Sequence, residues 1–171
     1  MQNYFELFDL ETSFFIDESA LKRSYQSEIS RFHPDNFATK SEPEKLQALQ
    51  NTSLLNSAYS VLKAPLSRAT YLLKLEGMNA FDEKDTAMEE GFLISQIELR
   101  DELETIEEKK DSLGLDDFIE RVDSFIEEKI ESISEAYNLS SDQQLIKRHV
   151  RELKFFDQLY KEANALMDEW F

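Results

Sequence analysis

The sequence predicts an all-α protein in two helical parts, and three observations carry that prediction. Gly and Pro number three each in 171 residues, too few to punctuate a sheet with turns. Leu, Glu, Ala, Lys and Gln, all good helix formers, are abundant. Apolar residues then recur at helical spacing along one segment after another. Hydrophobic residues at 41% supply a core, and charged residues at 32% fit solvated outer helix faces, not disorder.

Residues 3 to about 10 make a short apolar run with Tyr4, Phe5, Leu7 and Phe8. A helix over 18–32 follows, opened by Asp17 as N-cap, with Leu21, Tyr25, Ile29 and Phe32 on one face. His33-Pro34-Asp35 breaks it, because proline disfavours helical geometry in the residue before it. Ser41-Glu42-Pro43-Glu44 is a capping box with proline in the first turn. The helix it opens carries a stripe of Leu46, Leu49, Ser53, Asn56, Tyr59 and Leu62. Pro65 starts a fourth helix with Leu66, Ala69, Leu72 and Leu73, stopped by Gly77.

Residues 77–88 are polar and mixed, as in a linker between a first domain, 1–76, and a second, 89–171. Three longer amphipathic helices follow, about 89–111, 116–137 and 142–170. Gly114 divides the first two, and Ser140-Ser141-Asp142-Gln143 caps the third. Phe118, Val122, Phe125, Lys129, Ile133 and Tyr137 form the stripe of the middle helix. The last helix has Ile146, His149, Leu153, Phe156, Tyr160, Ala163, Met167 and Trp170. Short connections make these three an antiparallel bundle.

The formal charge of −17 repels phosphate backbones and anionic lipid, so neither nucleic acid nor membrane is the expected partner. A basic or mixed protein surface matches better. The absence of Cys excludes disulfides, thiolate zinc sites and thiolate ligation of an iron–sulfur cluster. No signal-peptide pattern or bilayer-length apolar run is present, and the expected location is the cytoplasm. No cofactor is expected.

His33-Pro34-Asp35 lies between two amphipathic helices, and a distal signature runs onward from Asn56 through Ala58, Tyr59, Leu62, Pro65, Arg68, Ala69 and Tyr71. With these residues the chain resembles the J-domain family over about residues 1–76. The resemblance implies an antiparallel helical hairpin with two short flanking helices. Its exposed HPD loop would engage a DnaK-class chaperone and stimulate that chaperone's ATPase. By position the essential residues are His33, Pro34 and Asp35, with Lys22, Arg23 and Arg31 assisting docking. Proline fixes one backbone torsion, so imidazole and carboxylate leave the loop in defined directions and little ordering entropy is lost on docking. The preceding helix also carries Glu18 and Glu28, and Asn36 stands where the family often has lysine.

The segment from Phe92 to Leu103 (FLISQIELRDEL), together with Tyr71-Leu72-Leu73 and the chain length, is similar to HscB-type co-chaperones of iron–sulfur cluster assembly. That resemblance covers essentially the whole chain. It implies a non-enzymatic adaptor whose bundle binds an IscU-type scaffold protein and delivers it to an HscA-type DnaK-class chaperone. The scaffold-binding positions it implies are Leu93, Ile94, Ile97, Glu98, Arg100, Asp101 and Phe155. The residues themselves point the same way. Phe92, Gln96, Leu99, Leu103 and Ile106 share one stripe, which is the bundle core. Leu93, Ile94 and Ile97 fall largely on the other side among charges, as in a recognition patch.

Blander readings stand beside these. HPD can be an ordinary interhelical turn, and a His33–Asp35 acid–base dyad lacks an enclosed substrate site. His149 sits on a core stripe as a packed histidine. The acidic runs are solvated faces. Leu93, Ile94 and Ile97 can instead form a contact between the bundle and the J domain. The alternative function is a J-domain co-chaperone with another client; a helical enzyme or metal protein is remote.

Overall fold

The computed structural model describes residues 3–82 and 89–171, so residues 83–88 of the expected linker lie outside the described residues. The described residues contain helices and no strand. The chain divides into two compact units, Met1–Glu76 and Gly77–Phe171.

The first unit holds α1 (Tyr4–Leu7), α2 (Glu18–Arg31), α3 (Glu42–Leu62) and α4 (Pro65–Leu75), with a 3-10 turn, Pro34–Phe37, between α2 and α3. Helix α1 is shorter than the apolar run suggests. Asn3 is its cap, accepting the Glu6 N–H at 3.0 Å while Glu6 returns to the Asn3 N–H at 3.1 Å. Asp9, at φ 55°, stands just past its end. Asp17 caps α2 and Ser41 caps α3, as their residue types require. Gly77, at φ 83°, follows the end of α4, where a side chain would be strained.

Helix α3 is the hub, because α1, α2, α4 and the 3-10 turn all pack on it. Its buried face is Ala48, Leu55, Ala58 and Leu62. The expected stripe is therefore corrected: Leu46 and Leu49 are 55% and 67% exposed, and Ser53 and Asn56 are exposed as well. Ala48, next to Leu49, is buried, so these turns are covered on another face. At about 100° per residue Leu46 lies about 160° around the helix from Leu62, so the expected stripe winds off the buried face.

The second unit consists of α5 (Glu90–Lys109), α6 (Ser112–Leu139) and α7 (Gln143–Trp170). Lys129 pairs with Glu152 across α6 and α7, and Glu102 with Arg121 across α5 and α6. Each pair straddles its connecting turn almost symmetrically, the signature of antiparallel neighbours. Leu99, Leu103 and Ile106 of α5 meet Leu115, Phe118 and Val122 of α6 and Phe156, Leu159 and Ala163 of α7 in one core.

Gly114 does not divide α5 from α6, which corrects the expected break. Lys110 in the left-handed region, at φ 49°, makes the turn, and Asp111 caps α6 by accepting the Gly114 N–H at 3.0 Å. A Cβ on Gly114 would lie 2.4 Å from the Asp111 carboxylate. The glycine thus makes room for the cap inside the first turn. Lys129 sits on a core stripe because Glu152, 4% exposed, places its Oε2 2.5 Å from the ammonium, with His149 Nδ1 at 3.8 Å. His149 is half-buried there. No helix among the described residues is long and apolar enough to cross a membrane.

Candidate functional site

The HPD loop is built by local backbone chemistry. The His33 and Phe32 N–H groups donate to Ser30 and Ile29 carbonyls, closing α2. Pro34 takes the first position of the 3-10 turn, where its missing N–H costs nothing. The Asp35 N–H donates to His33 Nδ1 at 3.2 Å, and the Asn36 N–H to the His33 carbonyl at 2.9 Å. The Asn36 side chain donates to the Ser30 carbonyl at 2.9 Å. Asn36 therefore ties the loop back to α2, a structural role its sequence position did not disclose.

The side chains of His33 and Asp35 are 58% and 92% exposed, and His33 Nδ1 lies 3.6 Å from Asp35 Oδ2. Such a pair presents two polar groups outward from a fixed backbone. Beside it, Phe32, Pro34, Phe37, Ala48 and Leu49 line an apolar groove. The sequence reading missed this groove because it assigned Leu49 to the core.

The distal signature is the frame that holds the loop's two helices. The Tyr25 hydroxyl donates to Asn56 Oδ1 at 2.5 Å, and the Tyr25 ring stacks on Tyr59 at 4.1 Å. Arg68, 6% exposed, donates from Nη1 to the Leu62 carbonyl at 2.8 Å and lies 4.9 Å from the Phe14 ring. Burial pushes its pKa down, with Glu18 opposing. Tyr71 stacks on Tyr4 at 4.6 Å, and its hydroxyl accepts the Tyr4 N–H at 3.0 Å. Ala58 and Ala69, both fully buried, admit close helix approach.

The basic residues of α2 are exposed but do not share a face. Lys22 and Arg31 are nine residues apart, which at about 100° per residue puts them on opposite sides. Arg31 is already paired with Glu28 at 3.0 Å and lies 5.7 Å from the Phe32 ring. Arg23 projects away from the core face.

In the second unit, Leu93, Ile94 and Ile97 are 43%, 51% and 62% exposed, whereas Leu99 and Leu103 of the same helix are buried. A shallow cleft is lined by Gln96, Ile97, Arg100, Asp101 and Phe155. Phe155 meets Phe92 edge-on at 5.8 Å, and the Arg100 guanidinium lies 5.5 Å from the Phe155 ring. The fold therefore brings Ile97, Arg100, Asp101 and Phe155 together, with Leu93 one turn before Ile97. Glu98 stands about 160° from Arg100 around α5 and does not face the cleft. Glu162, absent from the sequence-derived set, pairs with Arg100. Only the fold could reveal that, since the two residues are 62 positions apart.

A family model described as the HSCB C-terminal oligomerisation domain matches residues 88–164. A co-chaperone protein HscB homolog of Vibrio vulnificus (strain YJ016) is 40% identical over 170 residues, covering 99% of each chain. The solved chaperone HscB from Vibrio cholerae superposes with a TM-score of 0.85 at 36% identity, over 99% of this chain and all of that one. Human co-chaperone protein HscB, in its crystal structure, gives a TM-score of 0.87 at 29% identity, over 96% and 81% of the two chains.

Proposed function

The chain belongs to the HscB family of co-chaperones, and from that premise we propose that it is a two-partner adaptor in iron–sulfur cluster assembly. The second unit holds an IscU-type scaffold protein through Leu93, Ile94, Ile97, Arg100, Asp101 and Phe155, with Glu98 at the margin. The first unit presents His33, Pro34 and Asp35 to an HscA-type DnaK-class chaperone and stimulates its ATPase. Lys22, Arg23 and Arg31 contribute long-range attraction. The protein itself carries out no reaction, in keeping with relatives named as co-chaperones.

The observation that carries this reading is the exposure of apolar residues on α5 opposite its buried stripe, in the same chain as an exposed, hydrogen-bonded HPD turn. Large apolar side chains left in water gain free energy when a partner covers them. A loop already fixed by Pro34 and by its hydrogen bonds to α2 loses little entropy when it docks. Placing both on one chain brings a bound client to the chaperone without either contact having to be strong.

The test is steady-state ATP hydrolysis. An HscA-type chaperone should hydrolyse ATP faster as this protein is added, and further with an IscU-type scaffold present, while the protein alone hydrolyses none. A chaperone rate unchanged at saturating protein refutes the reading.

A further inference from the structure

Arg100 is the only cation of α5 before Lys109, and it lies in the middle of the proposed client face. An exposed arginine there would ordinarily be read as a group that reaches for a carboxylate on the partner. Two contacts from α7 argue otherwise. Its Nη1 donates to Glu162 Oε2, and its guanidinium plane is backed by the Phe155 ring 5.5 Å away. The carboxylates on the exposed side of α5 are in the opposite condition. Glu98, Asp101 and Glu104 are exposed and make no ion pair with another described residue. The face therefore presents apolar surface, one neutralised arginine and uncompensated negative charge.

We propose that Glu162 is a positioning residue of this face: it holds Arg100 against Phe155 and cancels its charge, so that the face selects a partner whose apolar anchor is ringed by Lys or Arg. This rests on the client-face reading above and adds to it the charge that the partner must carry. Holding Arg100 in place has two effects. The side chain becomes a fixed wall of the cleft beside Ile97, so its rotamer freedom is not lost again on docking. A basic partner rim also meets no opposing cation at the centre, while Asp101 and Glu104 attract it. If Arg100 instead served as the ligand for an acidic partner group, Glu162 would compete with that group. The two arrangements predict opposite signs for the loss of Glu162.

The test measures association and dissociation of a purified IscU-type scaffold protein with the full-length chain, across a series of salt concentrations. Glu162→Gln should weaken binding about three- to tenfold, mainly through slower association, and the deficit should shrink as salt rises. Its thermal midpoint should stay that of the wild type. In an Arg100→Ala background Glu162→Gln should do no more than Glu169→Gln, an exposed carboxylate elsewhere on α7. Unchanged or tighter binding by Glu162→Gln, while Leu93→Ala with Ile97→Ala still loses affinity, overturns the proposal and leaves the client face standing. A Glu162→Gln deficit that persists undiminished without Arg100 also overturns it. Full scaffold affinity in the Leu93→Ala, Ile97→Ala double variant removes the client face and this proposal together.

Discussion

Replacing Leu93 and Ile97 together by Ala, and comparing the result with Leu103→Ala, separates recognition from folding on a single helix. Leu103 is 6% exposed and belongs to the core shared by α5, α6 and α7. Truncating it removes packed methyl groups and leaves a cavity, at roughly 2–5 kcal/mol of folding stability. Leu93 and Ile97 are 43% and 62% exposed, so about half of each side chain's burial energy is unrealised in the free protein. Full burial of such a side chain is worth roughly 1.5–3 kcal/mol. Folding should then lose about 1 kcal/mol or less at each position. A partner that covers them loses roughly 1–4 kcal/mol per anchor. The double variant should therefore bind an IscU-type scaffold at least about tenfold more weakly, equivalent to about 1.4 kcal/mol. Calorimetric titration and urea unfolding on the same samples measure both quantities. A large fall in the unfolding midpoint with normal scaffold binding would refute the reasoning and make these residues a structural contact. Phe155→Ala is a less clean probe, because Phe155 is half-buried against Phe92 and lies 5.5 Å from the Phe156 ring.

Two further outcomes follow from the charges. Chaperone stimulation should fall only modestly with added salt, because Arg31 is neutralised by Glu28 and Lys22 faces the other side of α2. Stimulation unaltered by Ala at Lys22, Arg23 and Arg31 together removes α2 from the docking surface. The Glu152 carboxyl is pushed up by burial, but pairing with His149 and Lys129 outweighs that and holds it below the usual carboxylate range. A carboxyl depressed on folding stabilises above its unfolded pKa of about 4.3, and that contribution fades as pH falls through the folded value. Glu152→Gln should cost about 2 kcal/mol at neutral pH and less at an acid pH below the folded value, where the wild type loses the pair as well. Equal deficits at the two pH values, read by denaturant unfolding, would contradict this.

How much of this was legible in the sequence differs by element. Caps were readable because capping is local: Asp17, Ser41 and Asp142 stand within three residues of the N–H groups they accept from. The faces of α6 and α7 were also readable, since each is covered along its length and Phe118, Val122 and Ile133 recur at the helical period. Helix α3 misled because the stripe from Leu46 to Leu62 winds around the helix, leaving Leu46 and Leu49 off the face that Ala48, Leu55, Ala58 and Leu62 bury. Gly114 misled for a different reason: glycine marks both helix breaks and tight contacts, and here it clears space for Asp111. At the candidate sites the loop motif and the apolar side of α5 could be read directly. The Arg100–Glu162 pair could not, because its members are 62 positions apart and meet only in space, and the groove beside Pro34 could not, because Leu49 read as core.

The account's central claim is that chaperone stimulation and scaffold recognition reside in separate units of one chain. His33→Gln tests it most directly. His33 anchors the Asp35 N–H at 3.2 Å and otherwise faces solvent, so its replacement alters the loop tip and leaves α5 and α7 untouched. Stimulated ATPase and scaffold affinity should be measured on the same fully helical sample. The account predicts loss of stimulation with scaffold affinity within about threefold of wild type, less than about 1.4 kcal/mol. A tenfold or greater loss of scaffold affinity, or full stimulation without His33, would contradict it.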